Sequence, residues 1–254
     1  METKNKVAII TGGSRGLGKD MALSLARNGT DIIFTYHTNK KAADAVASQI
    51  NDLGQKAIAL QLDTSKIGGF DTFISTFTNY LKEETGYPNF DFLINNAGTA
   101  LYTPFMETTE EQFDEMLNIH YKGVFFLTQK LLPLMNDGGR IVNISSGLAR
   151  FSIPGSSAYA SMKGALEVLT RYLARELGSR KITANVIAPG AIETDFGNGH
   201  VRDDEKTNTM IANLTALGRA GQPEDIGGVV AFLCSDDARW VNGQRIEVSG
   251  GMNL

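Results

Sequence analysis

The sequence predicts an α/β fold: a single domain, residues 1–254, built on a parallel sheet covered by helices on both faces. Three observations carry this. Short apolar, β-branched runs alternate with helix-period segments along the chain, the pattern of parallel strands joined by crossover helices. The first run leads into a glycine-rich turn that opens a helix, Thr11 to Gly18. Gly12, Asp63, Asn95, Ser146 and Gly190 all fall where a strand run stops, the edge of such a sheet at which ligands bind. No linker, repeat or low-complexity stretch interrupts the alternation.

Composition sets further bounds. A hydrophobic content of 42% and a charged content of 20% are those of an ordinary globular protein. A net charge of -4 gives no electrostatic footprint for nucleic acid. The lone cysteine, Cys234, excludes an internal disulfide and reads as a small core residue of a protein from a reducing compartment. The N-terminus enters a strand directly, and no run approaches the ~18 apolar residues of a membrane span. These features predict a cytoplasmic protein with no membrane partner.

Taken in order, the first strand is Val7–Thr11, and the turn after it reads T-G-x-x-x-G-x-G with Gly12, Gly16 and Gly18. Glycines there let the backbone approach a pyrophosphate, whose charge rests on the free N–H groups of the following helix, Leu17 to Asn28. The second strand, Asp31 to Tyr36, ends in Tyr36, His37, Thr38 and Asn39. A carboxylate in that place would bind a ribose and repel a 2′-phosphate. Its absence, with Lys40 and Lys41 following and Arg15 in the glycine turn, favours NADP(H) over NAD(H). The third strand, 56–63, ends on Asp63, within reach of an adenine amino group. A helix at 72–82 leads to the fourth strand, 90–95, which ends in Asn95-Asn96-Ala97-Gly98 and offers a floor for a nicotinamide ribose. A long helical segment, 110–135, precedes the fifth strand, which begins at Ile141 and ends at Ser145-Ser146. A helix at 158–177 and a sixth strand ending in Pro189-Gly190 come next. Residues 195–217 mix polarities and carry Gly197 and Gly199, suiting a mobile cover over a pocket. A helix from Pro223 and a last strand, 244–250, complete the chain.

Tyr159 and Lys163 lie four residues apart in the 158–177 helix, on one face. A cation beside a phenol favours the phenolate and suits the tyrosine to proton exchange. Ser146, at the end of the preceding strand, is positioned to hold a substrate oxygen against that phenol.

The motifs TGGSRGLG (11–18), NNAG (95–98), YASMK (159–163), PGAIET (189–194) and GRAGQPEDI with its sequel to Gly251 occur in order across the chain, which resembles the short-chain dehydrogenases/reductases. The resemblance implies a single-domain Rossmann fold with a doubly wound seven-stranded sheet in the order 3-2-1-4-5-6-7. It implies hydride transfer between NAD(P)H and a small-molecule carbonyl/alcohol pair. Tyr159 is then the general acid or base, Lys163 holds the nicotinamide ribose, and Ser146, thirteen residues before the tyrosine, polarises the carbonyl. The coenzyme set becomes Gly12, Ser14, Arg15, Gly16, Leu17, Gly18, Tyr36, His37, Asp63, Asn95, Ala97, Gly98, Tyr159, Lys163, Pro189, Gly190, Ile192 and Thr194. Within it, Ser14 and Arg15 resemble 2′-phosphate contacts, and Thr194 resembles the contact to the carboxamide. A homotetramer, or a dimer, is implied through the two long helices.

One departure bears on mechanism. Where the family has an asparagine that holds a proton-relaying water, the text aligned on Lys122-Gly123-Val124-Phe125 has His120. Asn118 does not substitute, because two residues turn about 200° around a helix. A neutral imidazole both donates and accepts, so His120 either holds the same water or packs between helices. The other histidines, His37 and His200, show no metal-ligand spacing, and no metal is expected. Leu148, Phe151, Ile153, Ala191 and Phe196 suggest an apolar pocket. Two alternatives stay open: a 3-oxoacyl thioester reductase, whose acidic carrier partner would need a basic patch such as Arg171, Arg175 and Arg180, and an NADP-binding sensor or scaffold.

Overall fold

The computed structural model describes residues 5–254. Its strands are β1 (Lys6–Ile10), β2 (Thr30–Tyr36), β3 (Ala57–Gln61), β4 (Phe90–Asn95), β5 (Met135–Ile144), β6 (Thr183–Pro189) and β7 (Arg245–Val248). Its longer helices are α1 (Gly16–Arg27), α2 (Lys40–Asp52), α3 (Phe70–Thr85), α4 (Glu110–Leu117), α5 (Gly123–Leu131) and α6 (Ser157–Glu176). After β6 come α7 (His200–Asp203), α8 (Glu205–Leu214) and α9 (Glu224–Cys234). The strands form one sheet, β3-β2-β1-β4-β5-β6-β7, and every neighbouring pair is parallel. This is the doubly wound Rossmann order that the family resemblance implies.

Period-two alternation divides the sheet's side chains between two cores. Ala8, Ile10, Phe34 and Ile94 pack against Met21 and Leu25 of α1 and Ile226 and Val230 of α9. Val7, Ile9, Ile33 and Leu93 face the other way, against Phe73 and Phe77 of α3 and Leu127 and Leu131 of α5. Phe34, Phe70, Phe77 and Phe90 are fully buried, and burying a side chain of that size contributes about 1.5–3 kcal/mol.

The 110–135 segment departs from the single helix its periodicity predicts. Asn118–Lys122 forms a π-helical turn between α4 and α5, and α5 stops at Leu131. Pro133, without an N–H, cannot continue the helix and sits instead in a 3-10 turn, Leu132–Leu134. The fifth strand therefore begins at Met135, six residues before the predicted start. Phe90 pairs with Met135, and the next pairing, Phe92 with Arg140, is out of register. The intervening residues bulge out with Gly138 at φ +77°, and Asn136 donates to the buried Asp91 carboxylate at 3.0 Å.

The 195–217 segment is helical over most of its length. Gly197, Asn198 and Gly199 adopt left-handed backbone, and α7 and α8 follow. Asn208 ties the segment to β6's sequel, donating to Glu193 at 2.6 Å and to the Val201 carbonyl at 3.0 Å. No helix among the described residues is long and apolar enough to cross a membrane.

Candidate active site

The carboxyl ends of the strands open onto a cleft of about 770 Å³. At one end lies the glycine turn. Gly12 and Gly16 have φ of +71° and +53°, backbone that favours glycine. A Cβ on Gly18 would run into the Gly12 carbonyl, so only glycine lets α1 start this close to β1. Arg15, the residue before α1, makes no side-chain cap, leaving the first N–H groups of the helix free for an anion. Thr11 Oγ1 accepts from the N–H groups of Asn96 and Ala97 at 2.9 and 3.0 Å, and Asn96 Nδ2 donates to the carbonyls of Thr11 and Gly12. The turn and the NNAG segment are thus one rigid unit. Asn96 is a residue that the sequence reading did not single out.

Every catalytic and coenzyme-set candidate from the sequence lines this cleft except Asn95. Asn95 is buried beneath it, donating to Asn143 Oδ1 at 2.8 Å and Thr128 Oγ1 at 3.1 Å. The alternation along β4 turns it inward, so it braces the strand ends and offers no floor to a ribose. Tyr36, His37 and Asp63 gather at the far end of β2 and β3, with His37 Nε2 3.8 Å from the Asp63 carboxylate. Asp63 also accepts from the Ser65 N–H at 2.9 Å and hydroxyl at 2.7 Å. Tyr102, Met210, Ile211 and Met252 line the opposite end. Met210 and Ile211 belong to the 195–217 cover that the sequence suggests, whereas Tyr102 and Met252 had no signal in it, because they come from a loop and the far end of the chain.

Ser146, Tyr159, Lys163 and His120 meet at the centre. Of the two serines closing β5, Ser145 turns its hydroxyl to Glu167 at 2.8 Å, whereas Ser146 Oγ accepts from the Leu148 N–H at 3.2 Å and lines the cleft with Tyr159. Lys163 Nζ donates to the Ile144 carbonyl at 2.7 Å and lies 5.5 Å from the Tyr159 ring centroid. The charge balance differs from the expectation that Lys163 lowers the tyrosine. Burial pushes the phenol above its ordinary value and Tyr102 adds to the rise; the Ser146 hydroxyl opposes them. Lys163 is itself lowered to about 7 by burial, so near neutral pH it carries only part of a charge.

His120, 1% exposed, sits in the π-helical turn, a feature frequent at functional sites. Its ring meets that of Tyr159 edge to face, centroids 5.0 Å apart. Nε2 lies 2.9 Å from the Thr99 carbonyl and 3.4 Å from the Thr99 N–H; with the proton on Nε2 toward the nearer carbonyl, Nδ1 is a lone-pair acceptor. Nδ1 is buried with no partner. Burial, then the Lys163 ammonium, hold the imidazole well below its ordinary pKa against the pull of the Thr99 carbonyl, so the ring is neutral. A Cβ on Gly98 would lie 2.7 Å from His120 Cε1; the glycine of NNAG is what admits the ring.

Other candidate groups lie apart. Arg180 is spent on structure: it pairs with Asp137 at 2.8 Å and donates to the carbonyls of Leu132 and Met135. The Cys234 thiol is buried and pushed up to about 12. No metal-binding cluster of histidine, cysteine and acidic residues occurs among the described residues.

A family model described as enoyl-(acyl carrier protein) reductase matches residues 12–253. The short-chain dehydrogenase/reductase of Serratia marcescens is 34% identical, with 99% of each chain covered at a TM-score of 0.91. The chain belongs to the short-chain dehydrogenase/reductase family. Two further members are similar over nearly their whole lengths. The angucycline C-6 ketoreductase LanV, solved with bound NADP, is 39% identical over 98% of this chain and 96% of its own, TM-score 0.93. The hydroxynaphthalene reductase-like protein Arp2 of Metarhizium brunneum is 37% identical over 97% of this chain and 94% of its own. As a member of the family, the chain is an oxidoreductase, and its TGxxxGxG turn and YxxxK helix lie at opposite sides of one cleft.

Proposed function

We propose that this protein is an NADPH-dependent ketoreductase acting on bulky, largely apolar, ring-containing ketones. One observation carries the reading: a phenol and a hydroxyl, Tyr159 and Ser146, meet on the wall of a cleft whose other end is an open glycine-turn anion site. The cleft fits the coenzyme on its own features, namely the Gly12–Gly18 cradle and the uncapped start of α1. Arg15 and Ser14 beside an acid-free β2 terminus would take a 2′-phosphate, consistent with the NADP bound to LanV. Leu17, Ile192 and Pro189-Gly190 would flank the dinucleotide, with Thr194 at its carboxamide.

When bound, the coenzyme supplies the hydride. The chain supplies the rest. Ser146 and Tyr159 converge on the substrate oxygen, and the raised phenol pKa keeps Tyr159 protonated, able to deliver its proton as negative charge develops on that oxygen. Lys163, poised near 7, exchanges protons readily and restores the phenol. His120 Nδ1 accepts from a buried water through which Lys163 regains its proton from solvent, with the nearer Thr99 carbonyl favouring the tautomer that permits this. Tyr102, Phe151 and Phe196 give the substrate end aromatic walls, and residues 195–217 act as its mobile cover. Exposed Phe113, Phe125, Val168 and Tyr172 on α4, α5 and α6 support a homotetramer or dimer through those helices, and the lone reduced cysteine supports a cytoplasmic setting. Glu115 lines the cleft, and Glu107, Glu110, Glu111 and Asp114 are exposed close to it in the chain. That disfavours an acidic carrier protein, and with it the 3-oxoacyl thioester alternative.

The test is NADPH consumption over a panel of polycyclic ketones, quinones, sugars and 3-oxoacyl thioesters, with NADH in parallel. A ketone-dependent rate that Tyr159→Phe abolishes, while NADPH binding survives, is the expected result. Faster turnover with NADH would overturn the coenzyme assignment. Tight NADPH binding with no rate on any member of the panel would point to a sensor.

A further inference from the structure

The substrate end of the cleft is closed by the last residues of the chain, and one arginine holds them. Arg150, four residues beyond Ser146, pairs with Glu247 of β7 through two bonds, Nε at 2.7 Å and Nη2 at 2.6 Å. Its remaining N–H groups donate to the carbonyls of Met252 at 2.8 Å and Asn253 at 3.0 Å. Glu247 also accepts from Arg245 at 2.8 Å, and Arg245 donates to Glu167 of α6 at 2.8 Å. Glu167 receives the Ser145 hydroxyl at 2.8 Å. Alternating charges thus run without a break from Arg150 to the serine end of β5.

The tail passes this fixation on. Leu217 and Ala216 donate their N–H groups to the carbonyls of Gly250 and Gly251 at 3.0 and 3.3 Å, and Asn253 N–H donates to the Leu214 carbonyl at 3.0 Å. Met252, 2% exposed, packs with Ile211 of α8 and with Phe151 of the serine loop. Three segments that each line the cleft are therefore joined through one guanidinium. An arginine suits the task, since its planar fork serves a carboxylate and two carbonyls at once.

We propose that Arg150 is a positioning residue for the substrate half of the cleft: by gripping Glu247 and the Met252–Asn253 carbonyls it fixes the C-terminal tail, and through the tail the end of α8, around the ketone. This rests on the ketoreductase reading. Two measurements on the full-length protein separate the two ideas. In Arg150→Ala, hydrogen–deuterium exchange rises at 214–217 and 250–253 while α1 and β1 keep their protection. KM for the ketone rises about tenfold, the size expected for losing charge-assisted bonds that hold a wall in place. The Kd for NADPH is unchanged. Arg150→Lys, which keeps the charge and loses the fork, lies between, and Met252→Ala reproduces the KM rise without the change in exchange at 214–217. Unchanged exchange in Arg150→Ala and Arg150→Lys would overturn the proposal, as would KM and NADPH Kd worsening together. If exchange rises as expected but the parent protein reduces no ketone, the tie stands and the ketoreductase reading falls.

Discussion

Replacing Lys163 with methionine should make the protein more stable and less active. The lysine is 5% exposed, and burial lowers it from 10.5 to about 7. At ~1.4 kcal/mol for each tenfold change in proton affinity, that displacement is about 5 kcal/mol of destabilisation at pH values below 7. Loss of the bond from Nζ to the Ile144 carbonyl returns about 1 kcal/mol, so Lys163→Met should gain about 4 kcal/mol at pH 6. The sign follows from linkage. Between pH 7 and 10.5 the unfolded chain holds the lysine proton and the folded chain does not, so parent stability rises with pH across that window. The advantage of the methionine variant should shrink to about 1 kcal/mol by pH 9. Urea unfolding of the coenzyme-free protein at pH 6, 7.5 and 9 measures this. A gap independent of pH, or a parent more stable than the variant at pH 6, would refute the argument that a buried charge is kept at a cost in stability for its chemistry.

Two further substitutions probe burial elsewhere. Asp20 of α1 is 7% exposed and packs on Gly227 of α9, with Oδ2 unpartnered. Burial, and then Glu224, raise its pKa, so it costs stability as pH climbs above 3.8, and Asp20→Asn should stabilise by about 1 kcal/mol at pH 7. Thermal unfolding should show that gain disappearing below pH 4; a loss at pH 7 would contradict it. Gly98→Ala forces a methyl against the His120 ring, an overpacking of about 1–3 kcal/mol. Turnover should fall more than stability does, because His120 stacks on Tyr159, and steady-state kinetics beside urea unfolding would separate the two. Parent-like kcat would mean the ring yields without moving the tyrosine.

The fold and most of the site were legible because their signals are local. A strand buried on both faces shows as a continuous apolar, β-branched run, so β1, β2 and β4 could be read from runs such as VAIIT and DIIFTY. Tyr159 and Lys163 share a helix face at i,i+4 whatever surrounds them, and the glycines of the turn mark backbone that other residues adopt with difficulty. Where local pattern misled, a neighbour distant in sequence was responsible. Apolar spacing carried the reading of helix past Pro133 to Met135, while pairing with Phe90 begins β5 there. Asn95 sits at a strand end, as a ribose contact should, yet Thr128 and Asn143 claim its amide from below.

The sequence by itself determined the order of elements, the phosphate-sized turn and the presence of a serine, a tyrosine and a lysine at the right strand and helix ends. The tertiary structure decided their protonation, since burial is set by everything packed around a group and outweighs the partner four residues away. It also decided the fate of His120, whose tautomer depends on the Thr99 carbonyl, and of Arg150, whose partners at 247–253 lie at the far end of the chain. Periodicity gives the direction in which a side chain points; only the assembled chain provides what it meets there.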